Sequence, residues 1–321
     1  MQSLKSKLIL TLLLNSHLFK LQLKRKPFDP SPDGIQRFRE QTEKAGRMFG
    51  KLPAEVEIES LVVGNRYAEW VKIPQAHKNK AILYFHGGMY LVGSPQAHRQ
   101  HVVKFVKGCS MNALVIDYRL APENPFPAAL DDALQAYDYL LSHGYNPTGI
   151  VFAGDSAGGG LCLATLLAIK DKGLPLPAAA AALSPWTDLM LTGKSYQTNK
   201  KVCFSPDGCA ENASRMYAGN HSRLNPYVSP LYGNLTGLPP LHISAGCNEI
   251  LLDDSVHFAE KARAAEVDVT LRTDKGMCHC YPVFGDLFRE SKLALAEICQ
   301  FLKFYADKEK KPKTSLTFSN V

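Results

Sequence analysis

The chain has 321 residues, 45% hydrophobic and 21% charged, with a formal net charge of +7. That is room for one large α/β domain or two small ones, in the composition of an ordinary soluble globular protein. Residues 1–51 hold 11 Lys/Arg against 4 Asp/Glu and residues 303–321 hold 5 against 2, which leaves 21 against 24 in 52–302, so the body lacks the basic stripe of a nucleic-acid binder.

The first expected element is a helix over residues 4–23, with Leu4, Leu8, Leu12, Leu13, Phe19 and Leu23 set among Lys5, Lys7, Lys20 and polar residues. Its apolar run Leu8–Leu14 is too short to span a bilayer, and no small-x-small cleavage site follows it. The expectation is an amphipathic helix packed on the body. A helix lying on a membrane surface is the alternative. Pro27, Pro30 and Pro32 end it, and 35–49 reads as a second helix closing near Gly50. Val56–Val63 and Arg66–Ile73 flank Gly64-Asn65 as a hairpin. From there strands and helices alternate. Strands are expected at 81–85, 113–118, 150–153, 180–183, 241–245 and 267–272, and helices at 98–107, 127–142, 158–172, 253–265 and 287–305. Alternation after an opening hairpin implies a mostly parallel sheet with helices on both faces and an antiparallel edge. The active site of such a sheet lies at the carboxyl ends of its strands. The polar and aromatic stretch 186–225 breaks the rhythm at that end and is placed to roof a site there. The resulting division is 1–50 as N-terminal cap helices, 51–185 and 226–309 as the two parts of the core, 186–225 as cap insertion and 310–321 as a flexible tail.

The eight cysteines form no C-x-x-C pair, and several sit in apolar runs, which suits a reduced, cytoplasmic chain. Cys278-His279-Cys280 invites a metal reading, but two thiols flanking one imidazole do not readily converge on an ion and no second ligand pair exists. No metal and no cofactor is expected.

The chemistry gathers at Gly154-Asp155-Ser156-Ala157-Gly158, between the apolar run 149–153 and the helix-forming run 159–170. A serine at a sharp strand-to-helix turn with glycines two residues either side has the form of a nucleophile elbow. On these five residues alone, a glycine-rich loop with an incidental serine fits as well. A nucleophilic serine also needs oxyanion donors, a base and an acid. The run Ala81–Phe85 leads into His86-Gly87-Gly88-Met89-Tyr90, where glycines let backbone amides approach a substrate. The expected donors are the amides of Gly87, Gly88 and Ala157. His86 reads as a residue that orients this loop, and Asp155 as the variable residue of the elbow.

Together, His86-Gly87-Gly88, Asp117-Tyr118-Arg119-Leu120-Ala121-Pro122-Glu123, Phe126-Pro127-Ala128-Ala129-Leu130-Asp131-Asp132 and Gly154–Gly159 resemble the motifs of the hormone-sensitive lipase family, the bacterial family IV carboxylesterases. The resemblance covers about Ile58 to Tyr305. It implies the α/β-hydrolase fold, a helical cap from the N-terminal helices and the insertion, a Tyr-Arg-Leu-Ala-Pro-Glu run bracing the oxyanion loop, and pairing into a homodimer through the edge strand 267–272. Met89 stands where the family usually has a third glycine. Met89, Tyr90 and Trp186 are therefore expected around the acyl pocket.

The order in this fold is serine, acid, histidine. Of the histidines after Ser156, His242 falls in a strand, His257 in a helix and His221 in the insertion. His279 lies in a loop after the last strand, and His279-Cys280-Tyr281 resembles the family's His-Gly-Phe. For the acid, the family pattern Asp-Pro-Leu-x-Asp-Glu laid on this sequence puts Glu249 on the catalytic Asp, thirty residues before His279. Asp253 is the rival, better placed to cap the helix 253–265. The expected function is hydrolysis of short to medium carboxylic esters by Ser156, Glu249 and His279. An amidase or formamidase could use the same groups. A small-molecule receptor of the same fold is a further alternative, against which Ser156 and His279 both being present argues. The expected partner is a small ester, with no nucleic acid.

Overall fold

A computed structural model describes residues 2–15, 27–48 and 51–308. The expected helix positions Phe19 and Leu23, the helix end at Phe49-Gly50 and the tail 310–321 lie outside them.

Eight strands form one sheet. They are β1 (Glu57–Val63), β2 (Arg66–Lys72), β3 (Ala81–Phe85), β4 (Asn112–Ile116), β5 (Ile150–Asp155), β6 (Ala179–Leu183), β7 (Leu241–Gly246) and β8 (Val269–Asp274). The spatial order is β1-β2-β4-β3-β5-β6-β7-β8. The pairs β1–β2 and β2–β4 are antiparallel and the rest parallel. The helices are α1 (Leu4–Leu14), α2 (Pro32–Met48), α3 (Pro95–Cys109), α4 (Ala128–Ser142), α5 (Ala157–Asp171), the single turn α6 (Ser195–Thr198), α7 (Cys209–Ala218), α8 (Leu252–Ala264) and α9 (Arg289–Asp307).

Alternation along the strands separates two cores. Leu83, Phe85, Leu114, Phe152 and Ile243 meet Leu130 and Tyr137 of α4, Leu163 and Leu167 of α5 and Phe258 of α8. Ile82, Tyr84, Val115, Val151 and Ala181 meet Val102 and Phe105 of α3 and Ile298 and Leu302 of α9. Strands β3, β5, β6 and β7 are buried at every position, as parallel strands covered on both faces must be. Helix α5 is buried from Ala157 to Ile169, which explains why its sequence is apolar all round.

Helix α3 starts three residues earlier than expected. Ser94 accepts from the Ala97 amide at 3.0 Å and Pro95 takes the first turn, a Ser-Pro start signal that the apolar period did not register. Strand β8 sits two residues later than expected, because pairing with β7 runs from Leu241↔Val269 to Gly246↔Asp274. All eight cysteines are free thiols. Among the described residues, no helix is long and apolar enough to cross a membrane.

Candidate active site

Strand β5 ends at Asp155 and α5 begins at Ala157, so Ser156 alone makes the turn. Its φ of 56° and ψ of −122° are strained for a residue with a Cβ, a cost met at functional turns. The flanking glycines are sterically required. A Cβ on Gly154 would lie 2.5 Å from the Gly158 carbonyl oxygen, and one on Gly158 would lie 2.1 Å from that of Phe85. The Ser156 amide donates to Leu183 O at 2.8 Å and its carbonyl accepts from Trp186 N at 3.0 Å, which pins the turn to the end of β6. The N-terminus of α5 stands directly behind the serine, where its unpaired amides favour negative charge.

Glu249 and His279 come together because the loops after β7 and β8 are laced. Cys247 N donates to Asp274 O at 3.0 Å and Asn248 N to Met277 O at 2.9 Å. Glu249 is fully buried. Its Oε1 accepts from Ser184 Oγ at 2.8 Å and from Gly246 N at 2.7 Å, and its Oε2 accepts a hydrogen bond from His279 Nδ1. Burial by itself would depress the imidazole's pKa. The charge and hydrogen bond of Glu249 outweigh burial and hold His279 above its ordinary value. The rival Asp253 does not reach the histidine. Its Oδ2 accepts from Ser195 N at 2.9 Å, so it ties α8 to the single turn α6 and does not cap its own helix.

Ser184 escaped the sequence reading. It follows β6 in the left-handed region, at φ 46°. Its hydroxyl donates to Glu249 and accepts from Cys280 N at 2.9 Å, fixing acid and histidine loop to one strand end. The available signal was a serine before Pro185 at the carboxyl end of a buried strand. Cys280, where the family pattern has glycine, also adopts a left-handed φ of 51°. Its Sγ lies 3.5 Å from His279 Nε2. The Ser156 hydroxyl makes no hydrogen bond among the described residues, although Ser156 and His279 line one cavity.

The loop after β3 is held from several sides. Burial pushes His86 down to about 3, so the ring is neutral. Its Nδ1 donates to Gly87 O at 2.8 Å, and it stacks on Tyr118 with ring centroids 4.2 Å apart. The Tyr118 hydroxyl donates to His86 O at 2.7 Å, and Ala121 N donates to Tyr90 O at 2.9 Å. Arg119 is clamped on Asp132, and Arg39 of α2 reaches Leu91 O and Glu123. The run Asp117–Glu123 thus braces this loop.

Three expectations differ from the structure here. Gly87 is not a free donor: its amide is bound to Asp155 Oδ1 at 3.1 Å, and the same oxygen accepts from Tyr84 Oη at 2.8 Å. Asp155 is therefore a brace for the loop and no passive elbow residue. The amides of Gly88, Met89 and Ala157 make no hydrogen bond among the described residues. Tyr90 does not line the cavity. It is buried and lies flat on Tyr217 of α7, with centroids 3.6 Å apart, and so holds the segment between β6 and β7 to the body.

The cavity encloses about 410 Å³. Ser156, His279, Gly88, Met89 and Trp186 face it from the body. Phe38 and Thr42 of α2 and Phe204, Pro206 and Ala210 of the segment between β6 and β7 close over it. His98 and His101 of α3 form part of another wall. Among the described residues, no three His, Cys, Asp or Glu side chains gather as a metal site would require. Cys278 is buried beside Leu10, Met277 and Tyr281.

Comparison with known proteins adds identity to this geometry. Residues 82–283 match the model of a family described as alpha/beta hydrolase fold. The chain is 39% identical over 266 residues to an acetyl-hydrolase of Streptomyces hygroscopicus, covering 81% of this chain and 87% of that one. A crystal structure of the protein EstE5 soaked with p-nitrophenyl butyrate superposes with a TM-score of 0.87 at 36% identity, covering 95% of this chain and all (100%) of that one. An esterase from the bacterial hormone-sensitive lipase family superposes with a TM-score of 0.86 at 36% identity, covering 95% and 99% of the two chains. The chain belongs to the α/β-hydrolase fold family and, within it, to the esterases of the bacterial hormone-sensitive lipase type.

Proposed function

We propose that this protein hydrolyses carboxylic esters of short to medium acyl chain through an acyl-enzyme on Ser156. The observation that carries the reading is the Glu249–His279 hydrogen bond, opening onto the same cavity as a serine at a helix N-terminus. Neutral His279 keeps its proton on Nδ1, toward Glu249, which leaves Nε2 basic. As Ser156 Oγ attacks the ester carbonyl carbon, its proton passes to Nε2. The Glu249 carboxylate stabilises the imidazolium that forms. The tetrahedral oxygen becomes negative and draws on the amides of Gly88, Met89 and Ala157, each donor being worth about 3–4 kcal/mol in such a site. The intermediate collapses, the C–O bond to the alcohol breaks, and the alkoxide leaves with the proton from Nε2. Water then attacks the acyl carbon, losing a proton to His279, and the carboxylic acid departs as Ser156 recovers its hydrogen. The serine and imidazole tighten into a hydrogen bond when substrate fills the cavity.

A cavity of about 410 Å³ under a short roof supports small acyl groups, being near the low end of small-molecule sites. Strand β8 at the sheet edge is where a second copy would pair. Turnover of 4-nitrophenyl esters from acetate to palmitate, with Ser156→Ala as control, tests the reading. Hydrolysis of the short esters that the Ser156→Ala variant lacks is the expected result. Equal turnover by that variant would overturn it.

A further inference from the structure

Helix α1 carries leucine on several sides yet, among the described residues, packs against the body along one of them. Its inner side is anchored firmly. Gln2 Nε2 donates to Gly276 O at 2.9 Å, and Ser3 N and Ser6 Oγ donate to the Glu290 carboxylate at 2.5 and 2.6 Å. Leu10 is buried with Met277, Cys278, Tyr281 and Phe288. The outer side carries Leu4, Leu8 and Leu12, which are 87%, 63% and 47% exposed. Four-residue spacing sets the three in one row down the helix. A helix that is hydrophobic all round is normally buried all round. This one leaves a stripe of leucine in water while the rest of it is held in place by hydrogen bonds.

Charge indicates what covers the stripe. Lys5 and Lys7 are exposed on the same helix. Residues 1–26 contain six Lys/Arg and no Asp or Glu. In a two-fold pairing of α1 with its copy the patch would meet itself, and these lysines would face each other. An anionic bilayer takes both features, apolar side chains at the acyl boundary and ammonium groups among the headgroup phosphates. We propose that the outer face of α1 is a docking surface for anionic lipid bilayers. The helix rests on residues 276–281, which include His279, so docking would place the bilayer about one helix diameter, ~10 Å, from the loop carrying the histidine.

The test is sedimentation of the full chain with sucrose-loaded vesicles of phosphatidylglycerol and phosphatidylcholine, against phosphatidylcholine alone. The wild type is expected to pellet with the anionic vesicles and to be released by high salt. Combined Leu4→Gln, Leu8→Gln and Leu12→Gln, with glutamine chosen to keep helix propensity, should lower the partition coefficient by about tenfold or more. Lys5→Glu with Lys7→Glu should lower it on anionic vesicles only. Circular dichroism and thermal melting of each variant should match the wild type, because all five side chains are exposed. Leu8→Gln alone is the milder variant if the triple one melts early. The proposal is overturned if the wild type stays in the supernatant, or if the leucine variants pellet as it does. It is equally overturned if ultracentrifugation shows a dimer that the leucine variants abolish, which would assign the stripe to a second copy.

Discussion

Replacing Glu249 by Gln removes one charge and almost no volume, and the structure fixes how the amide must sit. Two donors, Ser184 Oγ–H and Gly246 N–H, converge on Oε1. Only an oxygen can receive them, so the amide oxygen of the variant takes that position. Its NH₂ then faces His279 Nδ1, where two donors cannot bond. The imidazole relieves the clash by moving its proton to Nε2, which leaves Nδ1 to accept from the amide. That tautomer has no lone pair for the Ser156 proton. In a serine protease, the same carboxylate-to-amide change lowers turnover by about 10⁴, or about 5 kcal/mol at 1.36 kcal/mol per decade. The variant keeps both bonds on Oε1 and should fold, since only the charge is lost at a buried position. Steady-state kcat on 4-nitrophenyl butyrate, with circular dichroism for the fold, is the assay. Asp253→Asn, which faces Ser195, should lose about tenfold at most. A Glu249→Gln enzyme within tenfold of wild type, or a folded Asp253→Asn enzyme that is the more damaged of the two, would rule out Glu249 as the group that orients His279.

Further outcomes follow from the same geometry. Glu249 holds the His279 pKa up and catalysis needs the neutral ring, so activity falls as pH drops through that raised pKa. The acid limb of kcat/KM should have its midpoint above about 6.5, the ordinary imidazole value, and a midpoint below it would contradict the pairing. Asp155→Ala frees the Gly87 amide and the Tyr84 hydroxyl together. It should lower kcat by about 10²-fold through displacement of the oxyanion loop, read as kcat loss with KM little changed. Butyrate esters should be cleaved with higher kcat/KM than palmitate esters at matched solubility, and the reverse preference would contradict the bound set by the cavity.

The central features were legible because their sequence signals are local. The elbow needs glycine at 154 and 158 for steric reasons, and those glycines stand beside the serine in the chain. Glu249 was placed by the resemblance, whose acid pattern falls on it thirty residues before His279, and it is the residue bonded to the imidazole. The hidden features are contacts between distant segments. Nothing near Gly87 in sequence announces that Asp155, 68 positions on, accepts from its amide. Tyr90 follows a pocket residue, but its φ of 59° turns it to stack on Tyr217, which no local pattern encodes. Ser184 acts through the side chain of Glu249 and the amide of Cys280, both brought to it by parallel strand pairing. The leucines set among lysines in α1 predicted an amphipathic helix packed on the body, and which leucines face outward depended on where Glu290 anchors Ser3 and Ser6.

The central claim is that Ser156 carries the acyl group. Labelling the protein with a fluorophosphonate and mapping the modified peptide by mass spectrometry tests it most directly. One adduct is expected, on Ser156, formed at a rate that falls steeply in the Glu249→Gln variant and absent from Ser156→Ala. An adduct on another residue, or full esterase activity in protein that takes no label, would contradict it.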